Sequence, residues 1–259
     1  MVGYRLSQTG IAKQPFFLKS VSVNVWSVEE LCWFLHRYPA LIDESIVSLA
    51  LTRWLAEEFH ITETAIRMER GLKEGGHAED FLLPLFSDMN YLPPRELRSF
   101  SEKIRDYRSA GPALRMKRKA DALTHNRRYG KAAALYMRAL EAVPGEDRKL
   151  SASIHHNCGT ALMQLLEYDG ACAEFEKAVE ERGSAHDRKA YLTAVCLAYP
   201  EEVFLAEAAR MKADASLTGE IRAEAEAAAD RSRLAPDSDG DLAAVLDELR
   251  ASYHVEARE

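Results

Sequence analysis

Hydrophobic residues recur at helical spacing along most of the chain. After Ser27, for example, Leu31, Phe34 and Leu35 fall on one face of a helix because one turn takes about 3.6 residues. Ser27 and Glu30 also have the spacing of a capping box, which predicts that a helix begins at this point. Because similar apolar periods follow in most of the remaining sequence, the pattern predicts an all-α protein.

A strand-like pattern is confined to the segment Phe16–Trp26. Val21, Val23 and Val25 alternate there with polar residues, which is the period of a half-buried strand. Since one strand cannot form a sheet, the segment is predicted as an edge strand, as a hairpin with the first fifteen residues, or as a strand that pairs in a dimer. We expect at most one or two strands in this segment.

Glycine and proline are scarce, at 13 and 9 of 259 residues, and their positions divide the helical pattern. Four helices are predicted before the first break, over Ser27–Pro39, Asp43–Phe59, Thr62 to Gly71 or Gly75-Gly76, and Ala78–Met89. Further breaks lie at Pro93-Pro94 and Gly111-Pro112. The sequence therefore predicts four regions: an N-terminal helical domain at 1–94, a basic linking helix at 95–112, repeated helical hairpins at 113–215, and C-terminal capping helices at 216–259. The two capping helices are predicted over Leu217–Leu234 and Asp239–Tyr253.

Small and large residues follow a fixed order in the segment His155–Ala178. Gly159 is followed by Ala171, Phe175 and Ala178 at intervals of 12, 4 and 3 residues. This order resembles the signature of a tetratricopeptide repeat, in which small residues let two helices approach closely and a large residue fills the seam between them. The resemblance implies a pair of packed helices in this segment.

Weaker copies of the same pattern lie on either side. Ala132, Tyr136 and Ala139 repeat the intervals of 4 and 3, and Ala120 stands in the place of the glycine. Continuing in phase, a third copy is predicted to begin near His186. The resemblance covers about 100 of the 259 residues, close to the length of three repeats of about 34 residues each.

The family resemblance implies a non-catalytic adaptor that binds other proteins. Stacked helical hairpins form a superhelix with a concave groove, and in this family the first helix of each hairpin lines the groove, which holds an extended peptide or a helix of a partner. Counted from the family pattern, the groove-facing residues are Leu114, Lys117, Asp121, Thr124 and His125 in the first hairpin and Ser153, His156, Asn157, Thr160, Met163 and Gln164 in the second.

Some members of the family hold the carboxylates of a chaperone's C-terminus between two lysines, an arginine and two asparagines. Lys117 and Asn157 match two of these five positions, but Asp121 replaces an asparagine. Asp187 and Tyr191 replace the second lysine and the arginine. Because an acidic side chain repels a carboxylate, we do not expect this chain to form such a clamp.

Charge is distributed unevenly along the sequence. The segment Arg95–Lys131 has twelve basic and four acidic residues, although the whole chain has a formal net charge of −7. The predicted basic surface comprises Arg115, Arg118, Arg127 and Arg128. This surface would contact an acidic partner protein, the protein's own acidic region Glu201–Glu259, or the phosphates of a nucleic acid. A regulatory nucleic-acid-binding protein is therefore the alternative function.

Other residues give little reason to expect an enzyme. The four cysteines have no C-x-x-C spacing, and His155, His156 and Cys158 lack a fourth ligand at metal-binding spacing. The sequence has no glycine-rich phosphate loop and no hydrolase motif. We therefore predict no catalytic residue, metal or cofactor. With no recognisable secretory or membrane-spanning segment, we expect a cytoplasmic protein, and a second copy of the chain is a further candidate partner.

Overall fold

The computed structural model describes residues 9–232, which are mainly α-helical. Within these residues, two short strands and a 3₁₀ helix at Pro39–Leu41 accompany twelve α-helices. The α-helices span Val28–Arg37 (α1), Leu49–Phe59 (α2), Thr62–Lys73 (α3), Ala78–Asp88 (α4), Pro94–Ser109 (α5), Pro112–His125 (α6), Tyr129–Glu141 (α7), Arg148–Gln164 (α8), Tyr168–Arg182 (α9), Ala185–Ala198 (α10), Glu201–Arg210 (α11) and Ala215–Ser232 (α12). The all-α class and the limit of two strands are confirmed.

The strand-like segment forms a small antiparallel hairpin. Strand β1 (Phe16–Leu18) pairs with β2 (Val23–Val25), and the side chains of Leu18 and Val25 are buried. Ser22 precedes β2 with a φ of 53°, which lies in the left-handed region of backbone conformation. A hairpin is one of the three arrangements that the sequence predicts. The prediction that its second strand lies in the first fifteen residues is wrong, because β1 begins at residue 16.

Local hydrogen bonds decide where the first two helices begin. The Ser27 hydroxyl accepts a bond of 3.1 Å from the Glu30 amide, which confirms the predicted start of α1. The predicted start of the second helix at Asp43 is wrong, because α2 begins at Leu49. The Asp43 carboxylate instead accepts bonds from the amide and hydroxyl of Ser45, which stabilise a turn in place of a helix.

The described chain falls into two compact units, one up to Ala194 and one from Val195 onward. In the first unit the buried apolar residues form a continuous core from Ala12 to Ala161. Phe86 of α4 and Phe100 of α5 contact each other in this core, with tilted rings whose centroids are 4.6 Å apart. Helices before and after the predicted break at Pro93-Pro94 therefore share one core.

Two helical hairpins follow one another in the first unit. Helix α6 packs against α7, α8 packs against α9, and α7 packs against α8. Helix α6 also contacts α8. The two helices that the sequence predicts to line a groove therefore lie side by side.

Close packing between α8 and α9 depends on the absence of a side chain at Gly159. Phe175 is 3% exposed, and Ala171 and Ala178 are fully buried. A Cβ atom added to Gly159 would lie 2.9 Å from two ring carbons of Phe175, which is closer than nonbonded carbon atoms pack. Glycine is therefore required at this position by the approach of the two helices.

The second unit contains α11 and α12. Phe204 and Ala208 of α11 and Ile221 of α12 are buried, and the Arg222 guanidinium lies 5.6 Å from the centre of the Phe204 ring. Helix α12 overlaps the predicted helix Leu217–Leu234 but begins earlier, at Ala215. The other predicted C-terminal helix, Asp239–Tyr253, lies outside the described residues. Among the described helices, none is long and apolar enough to cross a membrane.

We expect the substitution Gly159→Ala to destabilise the protein. Overpacking against Phe175 costs about 1–3 kcal/mol, which exceeds the gain in helix propensity of at most about 1 kcal/mol. Urea unfolding should therefore show a loss of about 1–2 kcal/mol. The matched control is Gly130→Ala in α7, because a Cβ atom there meets nothing within 4 Å. Equal stability of the two variants would contradict the close-packing explanation.

Candidate partner-binding site

Four of the predicted groove residues meet around one carboxylate. Oδ1 of Asp121 on α6 accepts hydrogen bonds of 2.7 Å from the Tyr136 hydroxyl on α7 and from Nδ2 of Asn157 on α8. Its Oδ2 accepts a bond of 2.9 Å from Nζ of Lys117. The hydroxyl of Thr124 lies 3.4 Å from that of Tyr136. Asp121 thus joins three helices through three donors.

This arrangement explains how the polar groups between the hairpins are satisfied. Tyr136 is 1% exposed, and its burial and the charge of Asp121 raise the pKa of its hydroxyl well above the ordinary range. The phenol therefore stays protonated and donates to the carboxylate. Because Lys117 and Asn157 also donate to Asp121, the two residues that match the carboxylate-clamp pattern are bonded within the protein.

A second polar cluster surrounds Asp187, which is fully buried. Its carboxylate accepts bonds of 2.8 and 2.5 Å from the Arg182 guanidinium and one of 2.5 Å from the Ser184 hydroxyl. Burial raises the pKa of this carboxyl, but the bonds from Arg182 and Ser184 outweigh burial and lower the pKa to about 2. Asp187 is therefore an ionised structural group and does not belong to an open surface.

The predicted groove residue His156 packs beside this cluster. Its Nδ1 lies 2.9 Å from Oδ1 of Asp187, but the two atoms are not aligned for a hydrogen bond. Its ring lies 4.4 Å from the ring of His186, centre to centre. Burial and the neighbouring His186 lower the pKa of His156, despite the opposing charge of Asp187. His156 is therefore a neutral, packed side chain at neutral pH.

The other predicted groove residues are more accessible. Ser153, Thr160 and Met163 are half-buried on α8, and Gln164 is exposed at its C-terminal end. In α6, Leu114 is half-buried and His125 is exposed. These side chains are the part of the predicted groove that is accessible for contact.

Many cations of the basic segment have partners within the first unit. Its ion pairs include Arg108 with Glu79 (2.8 Å), Arg118 with Asp106 (2.8 Å) and Lys119 with Asp43 (3.2 Å). These contacts neutralise part of the segment's positive charge. They also connect α5 and α6 to the N-terminal region.

Other basic residues hold the loop between β1 and β2. The Arg128 guanidinium donates to the carbonyl oxygens of Val21 and Ser22, and Nζ of Lys131 lies 3.3 Å from the carbonyl oxygen of Ser20. The sequence predicts Arg128 on an interaction surface. In the structure its guanidinium instead binds backbone carbonyl oxygens of the loop between β1 and β2. Arg115 and Arg127 of the same predicted surface are exposed.

Sequence reasoning missed a cleft next to the predicted groove. The cleft has a volume of about 320 Å³ and lies between the 3₁₀ helix, α5 and α6. Its apolar lining is formed by Tyr38, Pro39, Ala40, Tyr107 and Ala122. Asp121 and His125 also line it, so it adjoins the predicted groove. The spacing of Lys103 and Tyr107 places both on one face of α5, but only the packing of α5 on its neighbours creates a cavity there.

Three of the cysteines and His155 are packed in the interior. Cys32, Cys158 and Cys172 are buried and make no disulfide, and burial raises the pKa of the Cys32 and Cys158 thiols. His155 lies in the seam between α8 and α9, where Nδ1 is 2.7 Å from Glu174. Among the described residues, no three histidine, cysteine, aspartate or glutamate side chains are grouped as metal ligands.

Comparison with known proteins does not identify a family. No protein-family model matches the chain, and no curated protein or solved structure matches it significantly. The assignment to the tetratricopeptide family therefore remains a prediction from the intervals between residues.

We expect His156 to make stability depend on pH. Its pKa is lowered from 6.5 in the folded protein, so the unfolded chain binds a proton more readily. The free energy of unfolding should therefore fall as the pH decreases from about 7 to about 5. His156→Gln should reduce this pH dependence, and Gly130→Ala, which changes no titratable group, should leave it unchanged. Urea unfolding at several pH values measures both, and an unchanged slope for His156→Gln would contradict the assignment.

Proposed function

We propose that this protein is a non-catalytic cytoplasmic adaptor that binds a segment of a partner protein along the adjoining faces of α6 and α8. The observation that carries this proposal is the Asp121 network, which fixes the two helices beside each other. The polar bonds between them are internal, whereas Ser153, Met163 and Gln164 remain available on α8. A surface with this preorganisation loses little conformational entropy when it binds.

We further propose that the hairpins α6–α7 and α8–α9 are tetratricopeptide-like repeats. The buried seam of Gly159, Ala171, Phe175 and Ala178 supports this assignment, because each residue lies where the family pattern requires a small or a large side chain. In this family the corresponding faces bind peptides, which agrees with the proposed adaptor function.

A protein partner fits the charge distribution better than a nucleic acid does. Arg118 and Lys119 have carboxylate partners, and Arg128 is bonded to backbone carbonyl groups. Affinity for a phosphate backbone depends on the number of cations that can replace its counterions. Internal pairing reduces that number along the segment, so the nucleic-acid function is the weaker candidate.

The test is to select binding peptides from a random library on the wild-type protein and to measure their affinities for two variants. Ser153→Arg combined with Gln164→Arg places two bulky cations on the α8 face. Ala134→Arg combined with Ala173→Arg adds the same charge at exposed positions of α7 and α9. We expect the first variant to bind at least about tenfold more weakly, which corresponds to about 1.4 kcal/mol, and the second to retain wild-type affinity.

Two outcomes would overturn the proposed function. One is that no peptide is enriched on the wild-type protein. The other is that the α8 variant and its control bind the selected peptides equally well. Fluorescence anisotropy with labelled peptides provides the affinities, and circular dichroism checks that both variants remain folded.

A further inference from the structure

The cleft between the 3₁₀ helix, α5 and α6 combines apolar walls with uncompensated positive charge. Its two carboxylates, Asp106 and Asp121, each have their own cation, Arg118 and Lys117 respectively. These pairs contribute no net charge.

Two further cations line the cleft without such partners. Among the described residues, the exposed side chains of Arg37 and Lys103 form no ion pair with a carboxylate. The Arg37 guanidinium lies 5.6 Å from the centre of the Tyr38 ring, a cation–π distance that positions it at the edge of the cleft. The unbalanced charge of the cleft is therefore positive.

An aromatic surface continues from the cleft onto α1. Tyr38 contacts Trp33 edge to face, with ring centroids 6.0 Å apart. Trp33 is 54% exposed although it is a large apolar side chain. Tryptophan, tyrosine and arginine dominate the binding energy of many protein interfaces. Here Trp33, Tyr38 and Arg37 lie together and next to an open cavity.

We propose that this cleft binds an acidic residue of a partner peptide that is flanked by a large apolar residue. This inference rests on the proposed function, because the cleft adjoins the α6 face through Asp121 and His125. The carboxylate of the partner would pair with Arg37 and Lys103, and the apolar neighbour would pack on Tyr38, Tyr107 and Trp33. The cleft therefore provides the acidic-side-chain subsite of the adaptor.

Charge and size favour a peptide side chain over a nucleic acid. Two uncompensated cations match one or two carboxylates, whereas a phosphate backbone needs a longer track of cations. The volume of about 320 Å³ is at the lower end of the range of about 300–1,000 Å³ for ligand pockets. That space suits the side chains of a short peptide segment.

The experiment uses three blocked peptides with the same glycine–serine background. In the first, one glutamate follows a phenylalanine; in the others, glutamine or phosphoserine replaces that glutamate. Titration into ¹⁵N-labelled protein gives each Kd from the amide shifts of Ala40, Tyr107 and Ala122, which line the cleft. We expect the glutamate peptide to bind at least about tenfold more tightly than the glutamine peptide, because charge complementarity favours the carboxylate.

Two matched variants test whether the preference for the glutamate peptide comes from the cleft. Arg37→Gln combined with Lys103→Gln should remove the preference for glutamate. Arg95→Gln combined with Arg98→Gln removes two exposed cations from α5 that do not line the cleft, and should leave the preference intact. All four positions are exposed, so we expect both variants to fold.

Several results would overturn this inference. One is that the glutamate and glutamine peptides bind equally well. Another is that the variant Arg37→Gln with Lys103→Gln still prefers the glutamate peptide. A third is that the amide signals of the cleft residues do not shift. Tighter binding of the phosphoserine peptide, or displacement of the glutamate peptide by a single-stranded oligonucleotide, would assign the cleft to phosphate and also overturn it. If the α8 variant Ser153→Arg with Gln164→Arg nevertheless weakens the binding of selected peptides and its control does not, the adaptor function stands and only the acidic subsite fails.

Discussion

The Asp121 carboxylate is the interaction on which the arrangement of the two hairpins depends. It accepts hydrogen bonds from Lys117 of its own helix, Tyr136 of α7 and Asn157 of α8. Burying a carboxylate, even in part as for Asp121, is costly unless hydrogen-bond donors satisfy it. The three helices must therefore keep a geometry in which all three donors reach one side chain, and this requirement fixes α6 beside α8.

Several polar residues of the predicted sites make contacts within the protein. Lys117 and Asn157 serve the Asp121 network, Arg128 braces the β-hairpin loop, and Asp187 is held by Arg182. The proposed binding of a partner rests on residues whose charge or surface is not used in this way. They lie on α8 and around the cleft between the 3₁₀ helix, α5 and α6, where Arg37 and Lys103 are exposed.

Sequence reasoning succeeded where short-range patterns decide the structure. The Ser27 cap and the fold class depend on residues a few positions apart, and the intervals around Gly159 locate its contact with Phe175. It failed where distant segments meet. Arg128 binds a loop 107 residues earlier in the chain, and the cleft needs the 3₁₀ helix, α5 and α6 to pack together. No local period encodes those contacts.

A double-mutant cycle between Asp121→Ala and Tyr136→Phe tests most directly whether the carboxylate organises the hairpins. Asp121→Ala leaves the buried Tyr136 hydroxyl without its acceptor, which costs about 1–3 kcal/mol, and Tyr136→Phe removes that hydroxyl. We expect a coupling energy of about 1–2 kcal/mol in urea unfolding, since the two groups interact directly. Effects that add to within about 0.5 kcal/mol would contradict a central role for Asp121.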